Sequence, residues 1–446
     1  MTSDSVHWTY ALATDVRVEP GDGGTFLRTP TDETWMEGAV EIGALELLAS
    51  VDSSEAQLHA RLRLSGSDAA DVETRCAALL FQLDRLGLLS RTITSKERRL
   101  VSCVPLRPPP GPPPVRPPDG PLRLSHRALA RFEAHLLFLE LPGSWARIAI
   151  HDRDLFPLLH DLAVGRSASQ VAVAGHSGEA ILPVLALMGW CGLFGETEAD
   201  GWSGHDLLFH ARTRGGYARV ALGKTGLGAP PPDAIAIEGR DHVALEPPDV
   251  ARLLLEDPPY ALVSERRQSV RRQGSIPITS SQLSEFLFRT LHERGGRRPY
   301  PSGGACYPLR AYVGVHQCSG VAPGFYAYSP TRHELVRLSE PGPGLDSLLS
   351  DAAAAANVER PPQILIVLAA RFTRTQRVYG DLSYSLILKE VGAVFQAAMM
   401  AAAAMRLATC PLGCGDSLQF SELAGVDPLT ETSVGEMMLG SIDDTV

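Results

Sequence analysis

Beyond the middle of the chain, Arg266 to Arg271 read RRQSVR and set Arg267, Ser269 and Arg271 at every second position. In an extended segment alternate residues share a face, so two guanidinium forks and a hydroxyl can converge on one phosphate. A solvated basic stretch accounts for the same string. Further on, Tyr300 to Pro308 read YPSGGACYP, where paired glycines after Pro-Ser permit a tight turn whose amides approach a flat ligand closely. Leu407 to Asp416, LATCPLGCGD, offer a Pro-Leu-Gly turn that can aim backbone N–H groups at an acceptor. Either string on its own is also an ordinary loop.

Other spacings exclude chemistries. His205 and His210 lie five apart with no glutamate in the metalloprotease position, which disfavours zinc. Gly223-Lys224-Thr225 resembles the end of a phosphate loop, but the leading glycine it requires is Ala218, and no dinucleotide fingerprint follows a strand. Seven scattered cysteines form no CxxC pair, so reduced thiols in a cytoplasm are expected. The net charge is −10, and of 41 basic residues only Lys96, Lys224 and Lys389 are lysine. An acidic chain without a basic run argues against nucleic acid as a partner. The uncharged, Ala- and Met-rich stretch Val391 to Met405 is short for a bilayer, so no membrane association is expected.

The elements that must hold these strings follow from periodicity. At 446 residues and 44% hydrophobic, the chain is long enough for several cored domains. Between Val104 and Pro121 ten of eighteen residues are proline, which predicts a semi-rigid extended spacer. Before it, strands near Val16 to Glu19 and Thr25 to Arg28 precede helices at Val40 to Leu48, Glu55 to Leu64 and from about Val72 through Leu83. After it, a strand at Leu136 to Glu140 precedes helices at Leu155 to Ala163, from Ser167, and from Ile181 through Leu187. The two units end alike, LDRLGLLS and LALMGWCGLF. Trp202 to about Asp249 read as an irregular connection. Thr279 and Gln282 then form a capping box ahead of a helix with Leu283, Phe286, Leu287 and Leu291 on one face. Strands are predicted at Ala311 to His316 and Gln363 to Ala370, the latter central because it is apolar throughout. A long Ala- and Met-rich helix over about Leu386 to Arg406 suits a buried position or a dimer contact.

Taken in order, RxSxR, PSGGACYPL, the Gly324, Tyr326, Tyr328 string, the apolar strand, Tyr379-Gly380, the long helix with Gln396 and the Pro-Leu-Gly turn resemble the nitroreductase-fold, FMN-dependent dehydrogenases of the SagB type. That family oxidises azolines in ribosomally made peptides. The two N-terminal units resemble winged-helix peptide-binding modules that recruit a precursor leader by adding it as a strand. The resemblance implies an α+β protein: a winged-helix-like module over 1–103, a Pro-rich linker over 104–121, a second module over 122–200, a connecting segment over 201–254 and an FMN domain with a mixed sheet over 255–446.

For the site, it implies that Arg267, Ser269 and Arg271 hold the FMN phosphate and ribityl end. Pro301, Ser302 and Gly303 would lie against the flavin ring, from the same or the other subunit of a homodimer. Gln396 and the amides of Leu412 and Gly413 would lie near the isoalloxazine. Implied partners are the precursor peptide, leader and core, and a cyclodehydratase, in the cytoplasm. The sequence departs from the family at its Lys-Tyr pair, which here is Val378-Tyr379, and at Ser385, Ala393 and Ala397, where the family has Arg, His and Asn. Proton abstraction then falls to Tyr379, with Arg374 or Arg377 as nearby charge. These departures keep two alternatives open: another flavin reaction on a modified peptide, such as dehydroamino-acid reduction, and a non-catalytic peptide-binding scaffold.

Overall fold

A computed structural model describes the chain except for residues 1–5, 23, 30–32, 38, 64–67, 174–179, 196–201, 215–227, 230–240 and 444–446. The Gly223-Lys224-Thr225 string therefore lies outside the described residues. The chain divides into two compact units, 1–222 and 223–446.

In the first unit, three antiparallel strands, Arg17–Gly21, Gly24–Arg28 and Glu33–Glu37, precede helices Ala39–Ser50, Glu55–Leu62 and Ala69–Arg85. Leu45, Leu48, Leu58, Leu62, Val72, Leu79 and Leu83 from those helices close a core with Leu27 and Met36. After the proline-rich segment, strands Leu129–Glu133, Leu136–Glu140 and Ala146–Ile150 precede helices Phe156–Val164, Ala168–Val173 and Ile181–Trp190. The alike ends are one helix stop used twice. Leu88 N–H bonds the Leu83 carbonyl and Leu193 N–H that of Met188, each across a left-handed glycine, Gly87 at φ 67° and Gly192 at φ 73°.

A hairpin, Leu89–Ser95 with Arg98–Pro105, joins the halves: Leu89–Ser95 pairs with His7–Leu12, and Arg98–Pro105 pairs with Ala146–Ile150. One six-stranded sheet thus runs through both modules. This hairpin is absent from the sequence reading because polar residues are buried in it among apolar ones such as Ile93 and Val101. Arg91 pairs with Asp84, and Thr92, Ser102 and His151 form a buried hydroxyl-imidazole chain at 2.7 Å per step.

The second unit is a seven-stranded sheet in the order His242–Ala244, Glu334–Ser339, Gly324–Ser329, Leu309–Val315, Ile364–Arg371, Glu431–Ser441, Leu407–Pro411. The sheet expected to be mixed is antiparallel at each described pairing. Ile364–Arg371 is central and wholly buried, as its unbroken apolar run requires. Helices Ser280–Thr290 and Ser383–Met405 cover one face through Phe286, Leu287, Ile387, Val391, Val394 and Ala402. Pro343–Ala355 and Ser417–Ala424 cover the other through Leu345, Leu349 and Phe420.

Two segments differ from their sequence reading. The connection read as irregular contains helix Gly204–Thr213 and the edge strand His242–Ala244. The turn read over Leu407 to Asp416 begins only after a strand, Leu407–Pro411. Phe372–Met405 is long and apolar enough, by length and composition, to cross a membrane, and Ile387, Val391, Val394 and Ala402 of this stretch pack into the core on the sheet.

Candidate functional site

Helix Ser383–Met405 organises both groups of chemically competent residues. Along one side runs the extended segment 267–271, tied to the sheet edge by Val270 N–H donating to the Thr409 carbonyl at 2.9 Å. Arg267, Ser269 and Arg271 alternate along this segment on either side of that bond. Arg267 reaches the Met399 sulfur at 3.9 Å. Ser269 and Arg271 act on the Cys410 thiol, which burial raises and their hydrogen bond and charge lower. Among the described residues neither Arg267 nor Arg271 is paired with a carboxylate. Gln396, exposed, stands one helical turn before Met399.

At the other end of the helix lies the loop after Tyr300. Tyr300 itself is buried, which pushes its hydroxyl up to about 12. Ser302 Oγ accepts from Tyr307 N–H at 2.9 Å and donates to Glu390 Oε2 at 2.6 Å. Pro301 is exposed and Gly303 half-buried. A methyl group built on Gly303 would touch Leu386 and the Tyr379 ring at 3.6 and 3.7 Å, and one on Gly304 would stand 2.7 Å from the Tyr379 hydroxyl. The glycines are thus the cradle in which Tyr379 rests. Arg374, buried, fixes the same loop through Nε to the Cys306 carbonyl at 2.7 Å, whereas Arg377 is exposed. Val378, where the related pattern carries lysine, is 4% exposed.

Glu390 is the residue the sequence reading missed. It is 5% exposed, and burial pushes its carboxyl up to about 7 against the Ser302 hydroxyl and the Arg298 and Arg374 charges. Among the described residues its Oε1 has no hydrogen-bond partner. The available signal was a single acid within SLILKEVGAVFQAAMM, in a helix made mostly of apolar and small residues.

The structure joins Ser302, Glu390 and the glycines beside Tyr379, and separately sets Arg267, Ser269 and Arg271 along the segment that meets Met399 and Cys410, with Gln396 one helical turn before Met399. It does not bring the two sets together within one chain. Glu390 and Met399 are nine residues apart on the helix, about 13 Å along its axis and half a rotation round it. Leu412 belongs to neither set in the expected way. Its amide donates to the Glu436 carbonyl at 2.9 Å, because the pairing with Glu431–Ser441 continues one residue past Pro411. Gly413, exposed, follows it.

The donors fit a flat ligand ending in a phosphate. Two guanidinium groups with no carboxylate partner among the described residues alternate with a hydroxyl along one segment, and Gly303 and Gly304 leave backbone uncovered by side chains of their own in the loop after Tyr300.

The Nitroreductase family model matches residues 265–441. A protein of Methanocaldococcus jannaschii named as a nitroreductase is 35% identical over 175 residues, which are 39% of this chain and 85% of that protein. Among solved structures, one from Ralstonia eutropha, described as a nitroreductase, is 20% identical with a TM-score of 0.39, covering 48% of this chain and 94% of its own. The E. coli microcin synthetase McbBCD complex with truncated pro-MccB17 bound contains a chain 20% identical, with a TM-score of 0.35, covering 41% of this chain and 73% of its own.

Proposed function

Since this chain belongs to the nitroreductase family of oxidoreductases, we propose that it binds FMN and dehydrogenates azoline rings to azoles in a ribosomally made peptide. Arg267, Ser269 and Arg271 would hold the phosphate, and the loop from Pro301 to Gly303 would lie against the ring, across a homodimer. When bound, FMN supplies the hydride acceptor. The chain must supply a place for the proton that leaves the neighbouring carbon. One observation carries this reading: the Tyr379 hydroxyl rests over Gly304, two residues from the Ser302–Glu390 bond. Groups that exchange protons are thereby gathered on the loop assigned to the ring.

The N-terminal modules would recruit the precursor. Glu33–Glu37 is the outer strand of its three-stranded sheet. It presents Trp35, 40% exposed and packed on Phe26 at 4.6 Å between ring centroids. An extended leader can add there by main-chain bonds, with pockets beside alternate side chains giving selectivity. A cyclodehydratase would supply the azolines.

A second reading draws on buried Val378. With no lysine at that position, the same scaffold suits a different peptide modification, such as reduction of a dehydroamino acid.

Incubation of the purified protein with an azoline-bearing peptide decides between them. Loss of two hydrogens in mass, abolished by Tyr379→Phe while flavin stays bound, is expected. A peptide of unchanged mass, together with NAD(P)H bleaching the flavin and a dehydropeptide gaining two hydrogens, would reverse the direction of the reaction.

A further inference from the structure

We propose that Glu390, acting through the Ser302 hydroxyl, receives the proton that the oxidation releases. The inference rests on the reaction assigned above and identifies the group that keeps its proton. A phenol carries a single exchangeable proton, so Tyr379 can pass the leaving proton on but cannot store it. The missing lysine leaves the position beside Tyr379 apolar.

Glu390 meets the geometric requirements of a store. It lies beneath the loop rather than on it, and one oxygen is bonded to Ser302 at 2.6 Å. Ser302 is half-buried and adjoins Gly303, which touches Tyr379. A carboxyl pinned only for structure would have both oxygens engaged, since an unpartnered buried oxygen is costly. Among the described residues Glu390 Oε1 is unpartnered, which an added proton on the carboxyl would relieve.

The charged and titratable groups facing it are Arg298 from the loop before Tyr300, Arg374 from helix Phe372–Tyr379, and Tyr300 itself. The two cations hold the carboxylate available, and burial raises its affinity for a proton. The result is a group whose charge changes near neutrality, at about 7.

The step balances. A C–H bond of the ring breaks, Ser302 gives its hydroxyl proton to Glu390 Oε2 and takes one in its place from the substrate side, and a carboxyl O–H forms. The electron pair of the broken C–H bond becomes the new ring double bond, and the adjacent carbon's C–H bond would break with its own pair leaving as hydride to FMN, the oxidant that the site would hold. Glu390 returns the proton to solvent before the next turnover.

Glu390→Gln keeps the acceptor oxygen for Ser302 and the side-chain volume but cannot take up a proton. With full-length flavin-loaded protein and an azoline peptide, wild-type kcat/KM should rise with pH through about 7, because the carboxylate is the active form. In Glu390→Gln it should fall by about 100-fold or more and lose that pH dependence, with flavin content unchanged. Glu390→Asp should retain the pH dependence at a lower rate. If Glu390→Gln does not fold, Ser302→Ala should give the same loss of rate and pH dependence. A Glu390→Gln or Ser302→Ala protein with the wild-type rate and profile overturns the inference alone. A wild type inactive on azolines overturns the assigned reaction and this inference together.

Discussion

Alanine at position 304 would have to adopt a left-handed backbone, φ 59°, with its methyl 2.7 Å from the Tyr379 hydroxyl. The backbone alone costs roughly 1–2 kcal/mol, and the steric conflict adds to it. Gly304→Ala should therefore lower the denaturant midpoint and displace Tyr379. The added cost should shrink in Gly304→Ala combined with Tyr379→Phe, where the clashing oxygen is gone, and a double-mutant cycle reads that coupling. Equal costs in both backgrounds would show that Tyr379 does not rest on Gly304. At this scale the sequence was partly legible. Alternation alone picks out Arg267, Ser269 and Arg271. Glu390 stays hidden because its meaning lies in Ser302, 88 positions away in sequence. The Leu412 amide was misjudged for a related reason, since only strand pairing decides whether an amide after a proline is free or spent.

Elements with strong local signals are those read most accurately. Thr279 and Gln282 make the capping box expected of them, starting helix Ser280–Thr290. The run from Ile364 to Arg371 forms the central strand. The hairpin at 89–105 was missed because its buried Arg91, Thr92 and Ser102 are satisfied by partners that no local pattern shows. A similar polar cluster fastens the second unit. His333 Nδ1 meets the Tyr328 hydroxyl at 2.8 Å, and its Nε2 meets Ser284 at 2.9 Å, which also donates to the Glu246 carbonyl. This cluster ties the hairpin at 324–339 to helix Ser280–Thr290 and to the chain beside strand His242–Ala244.

Burial, and next the charge of His292, lower His333 to about 4. The folded state therefore favours neutral imidazole. Its contribution is complete above the ordinary value near 6.5 and is lost as pH falls from there toward about 4. Tm should decline across that window. His333→Asn, chosen because asparagine tolerates the left-handed φ of 51°, should be less stable at neutral pH and show a flatter decline. An unchanged slope would remove His333 as its cause.

At the scale of the whole molecule, the two sets of residues on helix Ser383–Met405 have a consequence for assembly. A ligand held by Arg267 cannot also rest on the same chain's Ser302 when the two anchor points face opposite sides of the helix. Under the proposed assignment, two chains that exchanged these surfaces would complete two sites. Arg267→Ala and Ser302→Ala proteins, each inactive alone, should on co-expression regain activity in mixed dimers, where one site of the pair has both residues intact. Absence of complementation, with mixed dimers demonstrated by affinity tags, would place both sets in one chain's own site.

The strand pairing across the proline-rich segment acts on the chain during synthesis. Arg98–Pro105 finds its partner only when Ala146–Ile150 has been made, so the first module leaves the ribosome with an open β edge, the kind of surface that recruits wrong partners. The nine prolines that follow, up to Pro121, carry no amide donors and disfavour continuing a ladder. They give the waiting edge a stretch of chain that cannot zip onto it, and so reserve it for the strand that belongs there.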